Sequence, residues 1–239
     1  HWEMGGGTLS GLEQVIGLAS LTNCTLAGTN RLVGTLNVSG RLFVPADSSL
    51  TVEAGAELRV NAAQEIHLYG TLINRGTVTQ AGWIGVYNNG GQPSNGDLRN
   101  ESGALWDTQG NAFIYDLFGL QLSKFHNAGT LRRSGDAGTA SSGIFLENQG
   151  RVEVRTGTLA LTGGSDLGGR FQADAGAVIS FPAGEINVNR MPAFEGPGDL
   201  VFNGARVNLQ VPVPHWEMGG GTLSGLEQVI GLASLTNCT

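Results

Sequence analysis

Short alternations of apolar and polar residues run along most of this chain. From about Thr35, four-residue runs follow one another closely: TLNV (Thr35 to Val38), RLFV (Arg41 to Val44), SLTV (Ser49 to Val52), ELRV (Glu57 to Val60), EIHL (Glu65 to Leu68) and TLIN (Thr71 to Asn74). Each places two apolar side chains two positions apart, which is the pattern of a strand with one buried face. The pattern returns in TLRR (Thr130 to Arg133), RVEV (Arg151 to Val154), TLAL (Thr158 to Leu161), AVIS (Ala177 to Ser180), EINV (Glu185 to Val188), DLVF (Asp199 to Phe202) and RVNL (Arg206 to Leu209). No stretch between these runs is long enough for a crossover helix, so the predicted class is all-β. Leu12, Val15, Ile16 and Ala19 have helical spacing, but Gly11 and Gly17 weigh against a helix there.

Strands this short suit a sandwich or a solenoid. One feature favouring the solenoid is a corner phrase: Asn74-Arg75-Gly76, Asn127-Ala128-Gly129 and Asn148-Gln149-Gly150, with a looser version beginning at Asn100. Asn and Gly tolerate left-handed backbone angles, so each phrase is read as a sharp corner feeding a strand. The four asparagines are separated by 26, 27 and 21 residues, the length of one coil of a three-sided solenoid. Equivalent corners would then stack, and their Asn side chains could hydrogen-bond along the axis as a ladder.

The second feature is a repeat. HWEMGGGTLSGLEQVIGLASLTNCT occupies His1 to Thr25 and recurs without change from His215 to Thr239, an offset of 214 residues. A sandwich closes on itself, whereas a solenoid continues without a seam. The expected organisation is one tandem unit, residues 1–214, followed by the start of an identical one, residues 215–239. At about 20 to 25 residues per coil, a unit holds about nine to ten coils and advances about 45 Å. Both ends of the unit read as apolar and uncapped. The expected junction therefore involves Trp2, Leu9 and Leu12 at one end and Val211, Pro212, Pro214, Trp216, Leu223 and Leu226 at the other, with the units joined covalently.

Composition agrees with a packed, turn-rich fold: 39 glycines and 7 prolines, 40% hydrophobic and only 14% charged residues. A net charge of −7 argues against a nucleic-acid-binding surface, which needs clustered cations. No run approaches the ~18 apolar residues that span a bilayer. Cys24 and Cys238 are one position seen twice, so a unit has no internal disulfide framework. Cys24 is read as a small buried thiol, with a cross-link to a neighbouring filament as the alternative.

Residues 81–125 depart from the pattern. NNGGQPSNGD reads as a loop leaving the solenoid, and Trp83, Tyr87, Trp106, Phe113, Tyr115, Phe118 and Phe125 gather around it. These aromatics are either core fillers of wider coils or a contact patch, with Trp83, Tyr87, Trp106 and Tyr115 as candidate lateral contacts to neighbouring filaments or surface glycans. Asp97, Glu101, Asp107, Asp116 and Asp136 lie near Arg99, Arg132 and Arg133, and a stacked carboxylate pair could flank a glycosidic bond. Solvated turn charges are the simpler reading. His67 and His126 are expected to face solvent, and no metal, triad or phosphate-loop spacing is present. The chain is read as not an enzyme and as needing no cofactor.

The order W-x-x-G-G-x-L-S-G from Trp2, F-x-N-A-G-T-L-x-x-S-G from Phe125 and N-x-G-x-V-E-V-x-x-G-T-L-x-L-x-G-G from Asn148 resembles the repeats of very large bacterial surface proteins. These are similar to filamentous-haemagglutinin and autotransporter adhesins. The resemblance covers about two thirds of the unit. It implies a right-handed parallel β-helix, secretion to the cell surface or beyond, and a role in a filament, sheath or adhesin fibre whose main partner is a further copy of itself. It carries over no catalytic residues.

Overall fold

The computed structural model describes residues 2–11, 18–91, 94–120, 122–218, 220–225 and 228–239. The chain is a parallel β-solenoid with three faces, each a ten-stranded sheet. Face one begins with Trp2–Gly5, Leu18–Thr22, Thr35–Val38 and Glu57–Val60. Face two begins with Thr8–Ser10, Cys24–Ala27, Arg41–Val44 and Glu65–Leu68, and face three with Thr29–Leu32, Ser49–Val52, Thr71–Asn74 and Asp97–Asn100. From Leu18 the chain visits the three faces in turn, so each strand stacks on the strand one coil earlier, in parallel. Among the described residues no helix spans any of the segment with helical spacing; Ala19 lies in the strand Leu18–Thr22, and residues 12–17 lie outside the description.

In-register stacking turns the alternation into continuous internal columns. On face one, Leu36 pairs with Leu58, then Val78, Trp106, Leu131, Val152 and Phe171 follow in the same register, all of them buried. On face three the column runs Leu50, Leu72, Leu98, Phe125 and Leu146. Each such side chain contributes about 1.5–3 kcal/mol of transfer free energy, and the columns merge into one hydrophobic core.

Coil length varies more than the sequence spacing indicates. Leu36 to Leu58 spans 22 residues, Ile84 to Ile114 spans 30, and Val207 to Leu223 only 16. The extra length is placed at corners. The hairpin of Asn88–Gly91 with Ser94–Asn95 leaves between faces two and three, and a second insertion, described over residues 117–120 and 122–123, leaves at the same corner one coil later. Asn88 Nδ2 donates to Leu122 O at 3.2 Å, which ties the two insertions together.

The corner glycines are there for a different reason from the one their type suggests. Gly76, Gly129 and Gly150 do not have the left-handed backbone expected of them. Instead the preceding coil passes too close for a side chain: a Cβ on Gly76 would lie 2.3 Å from Glu53 O, on Gly129 2.4 Å from Glu101 O, and on Gly150 2.1 Å from Gly129 O. The constraint is the distance between coils, not φ. Gly150→Ala is therefore expected to cost about 1–3 kcal/mol or more through overpacking. Gly5→Ala, where open space surrounds the new methyl, should stay within about 0.5 kcal/mol of the parent. Urea denaturation midpoints of the two variants test the contrast.

Candidate functional site

The asparagines at the ends of four face-three strands form a ladder inside the solenoid. Asn74 Nδ2 donates to Asn100 Oδ1 at 2.8 Å, Asn100 Nδ2 to Asn127 Oδ1 at 2.7 Å, and Asn127 Nδ2 to Asn148 Oδ1 at 2.7 Å. The second N–H of each amide reaches the first carbonyl of a face-one strand one coil on: Leu105 O at 2.8 Å, Thr130 O at 3.1 Å and Arg151 O at 3.1 Å. At one end Asn74 Oδ1 accepts from Gly76 N at 3.1 Å, and at the other Asn148 Nδ2 donates to Gly168 O at 2.6 Å. These side chains are buried, so each amide replaces water with partners of fixed geometry. Below the ladder Val52 occupies the register of Asn74.

The two copies of the repeated segment make the same internal pairs. Trp2 pairs with Ala19 and Met4 with Leu21; Trp216 pairs with Ala233 and Met218 with Leu235. Cys24 Sγ lies 3.3 Å from Met4 O, and Cys238 Sγ 3.4 Å from Met218 O. Asn23 and Asn237 both have φ of 54°. The copies differ in where they dock. Thr8–Ser10 belongs to face two, whereas Thr222–Ser224 pairs with Arg206–Leu209 on face three. The strand Val213–Met218 pairs with Val229–Leu235 in a separate two-stranded sheet.

Of the sequence-assigned junction residues, Leu9, Val211 and Leu223 pack partly buried against the core and Pro212 is exposed. Leu12 and Leu226 lie outside the described residues, as do the side chains of Trp2, Pro214 and Trp216. Cys24 is buried, with its thiol turned to backbone carbonyls, which leaves a cross-link through it without access.

The aromatic segment divides by strand parity. Trp106 is removed from the lateral contacts: it is the second residue of Leu105–Thr108, points inward, and is fully buried, with Nε1 donating to Gln80 Oε1 at 3.0 Å. Phe125 packs beside it at 4.8 Å between ring centroids. Trp83 is the first residue of Trp83–Val86 and faces out, 51% exposed, with Phe113 paired beside it. Tyr87 and Tyr115 are half-buried on the same side of the molecule. Tyr69 and Tyr87 stack at 3.8 Å, with Phe43 and Phe118 packed at either end. Burial and the neighbouring Tyr87 hydroxyl raise the Tyr69 phenol to about 12.

The charged residues are engaged with one another. Asp107 is buried and accepts from Arg132, Ser134 and Gln109 at 3.1, 3.0 and 3.3 Å. Arg133, one of the largest wholly buried side chains, points into the solenoid. The 134–138 turn closes over its guanidinium through Asp136 Oδ1 at 2.7 Å, Asp136 O at 3.0 Å and Gly138 O at 3.1 Å. His67 and His126 both point outward, each engaged with neighbouring carboxylates. His67 is largely covered beside Glu65 at 2.9 Å, and His126 bridges Asp97 at 3.1 Å and Glu147 at 2.6 Å across three stacked strands. Among the described residues no group of three or more His, Cys, Asp or Glu side chains is arranged to hold a metal ion.

Sequence reasoning passed over Arg41, Phe43, Glu65 and Tyr69 as surface contributors. The signal that finds them is register: RLFV, EIHL, WIGV and FIYD stack residue for residue on face two. Comparison with protein-family models, curated proteins and solved structures gave no match. The fold itself defines the class, a β-solenoid repeat protein of about nine turns.

Two expectations follow. Asn127→Leu leaves the Asn100 amide short of an acceptor and the Asn148 oxygen short of a donor, at about 1–3 kcal/mol each, so chemical denaturation should show a loss of about 2–5 kcal/mol. The second concerns pH. The Asp97 and Glu147 carboxylates raise the His126 pKa against the opposing effect of burial. Burial pushes Asp97 and Glu147 up, but His126 with Arg99, and Lys124 with His126, hold them below their usual values. A raised folded pKa gives stability that is complete below the unfolded value of about 6.5 and lost as pH climbs through the folded one; the carboxylates lose theirs as pH falls below about 4. Melting temperature should therefore decline as pH rises above about 6.5, and His126→Gln should flatten that decline.

Proposed function

We propose that this chain is a structural module of a fibre at the bacterial cell surface or beyond it, in which β-solenoid units stack coaxially and are joined in tandem. One observation carries the reading: a 25-residue segment recurs at an offset of 214, and both copies pair internally in the same way, the first within face one and the second in a two-stranded sheet of its own. Segments that bring their own pairing can extend a solenoid without a new interface having to evolve. In the register of Thr222–Ser224 on Arg206–Leu209, a following unit is turned by one face about the axis. The principal partner is then another copy of the unit, with covalent continuity through residues 209–215. The resemblance to haemagglutinin-type repeats supports secretion and adhesion in the same direction. A second reading, an adhesin module that uses the aromatic segment, is favoured by the exposure of Trp83 and Phe113.

Proteins of one, two and three complete units test the scaffold. Negative-stain electron microscopy is expected to show rods that lengthen by about 45 Å per unit. Compact particles or beads on a slack string would sink the idea.

A further inference from the structure

The exterior of face two differs from the other faces in the size and rigidity of what it displays. Its register produces two outward columns across five stacked strands. One reads Arg41, Glu65, Trp83, Phe113, beginning beside Asn23, whose Oδ1 accepts from Arg41 N at 3.1 Å. The other reads Thr25, Phe43, His67, Gly85, Tyr115. Farther along, the first of these columns continues through Ser141, Ala160, Ser180 and Val201, so the outward aromatic side chains are confined to one half of the face.

Gly85 makes the arrangement possible. A Cβ there would lie 2.9 Å from Tyr115 Cζ, because the Tyr115 ring lies across the gap and donates its hydroxyl to Glu65 Oε1. Tyr115 is also nearly coplanar with Phe113, at 16° and 5.3 Å between centroids. The rings are thus fixed before any ligand arrives. Next to them, on the side of the first strands, is an open groove of about 610 Å³ lined by Asn23, Thr25, Arg41, Phe43, Gln64 and Glu65. Asn23 and Ala63, on its edge, both have left-handed backbones, with φ of 54° and 62°.

We propose that this half of face two binds an uncharged polysaccharide chain, with the Trp83 indole as stacking platform and Arg41, Gln64 and Glu65 as hydroxyl partners. This goes beyond the scaffold reading and does not depend on it; it gives the adhesive reading a site and a ligand class. Four observations select the occupant. A π face is electron-rich and complements the C–H face of a sugar ring, and Trp83 offers such a face to solvent. Planar amide, guanidinium and carboxylate groups beside an aromatic ring supply the convergent donors and acceptors that a polyhydroxylated ligand needs. Arg41 and Glu65 pair at 3.3 Å and cancel locally on a chain of net charge −7, which disfavours a polyanion. Five strands at ~4.8 Å extend about 19 Å, room for several sugar units in a row. A second copy of this chain is a poorer fit, since the centres of protein interfaces are depleted in charged residues and this groove is centred on an ion pair.

Affinity electrophoresis tests the proposal, with native gels containing hydroxyethyl cellulose, arabinoxylan, galactomannan or dextran, and heparin as the polyanion. At least one neutral polymer should retard the protein, and heparin should not. Trp83→Ala should weaken that retardation at least tenfold, Trp83→Phe should retain most of it, and Arg41→Ala should weaken it severalfold. Met191→Ala, an exposed site elsewhere, should match the parent. Trp83 and Arg41 project into solvent, so circular-dichroism melts should be unchanged and a loss of binding reports on the site. Four results would each overturn the proposal: no retardation by any neutral polymer, undiminished binding by Trp83→Ala, strongest retardation by heparin, or a dimer in sedimentation that Trp83→Ala dissolves. None of these bears on the length of tandem rods, so the scaffold and the site can fail separately.

Discussion

The spacing between parallel coils is the constraint on which everything else in this molecule depends. Backbone hydrogen bonds hold successive strands about 4.8 Å apart on all three faces at once, so each inward side chain rests directly on its equivalent one coil away. Columns such as Leu36, Leu58, Val78 and Leu72, Leu98, Phe125 follow from that. So do the corner glycines, where carbonyls of adjacent coils leave no space for a methyl. The asparagine ladder is the polar form of the same rule. Once one buried amide sits at a corner, an identical amide at the same position above it satisfies donor and acceptor together.

The column next to the main one on face one shows how far the interior can depart from apolar packing. It runs Val38, Val60, Gln80, Thr108, Arg133, Val154. Gln80 is held by the Trp106 indole and by Gly82 O and Phe113 O, and Arg133 by the turn that folds over it. Buried polar groups are tolerable when their partners are built in. These residues coincide with the coils of 25 or more residues, whose extra length leaves the solenoid at the corners. The same coils carry the corner insertions, so the irregular interior and the most elaborated exterior arise together.

A face of a solenoid is also a ruler. Outward residues repeat at the strand spacing, so a modest set of substitutions at equivalent positions writes a linear surface. On face two the outward aromatic side chains are confined to one half of its length. On face three it is ionic, with His126 linking Asp97 and Glu147 across coils. If units are joined in tandem as proposed, such surfaces recur along the array, and a weak contact of one unit would be strengthened through multivalency.

The alternation, the asparagine spacing and the repeat sufficed for an all-β, three-sided solenoid, because strand period and corner chemistry are local properties that survive any tertiary arrangement. They did not suffice for which aromatic residues are buried. Trp83 and Trp106 occur in similar surroundings, yet one opens its strand and the other follows a leading Leu105; that shift of a single position reverses the side chain. Nor did residue type reveal that glycine is needed at Gly150 for proximity to Gly129 O, that Arg133 turns inward, or that the repeated segment docks on face two at one end and face three at the other. Each of these is decided by what lies one coil, about twenty residues, away. Only the closed solenoid brings those residues within contact.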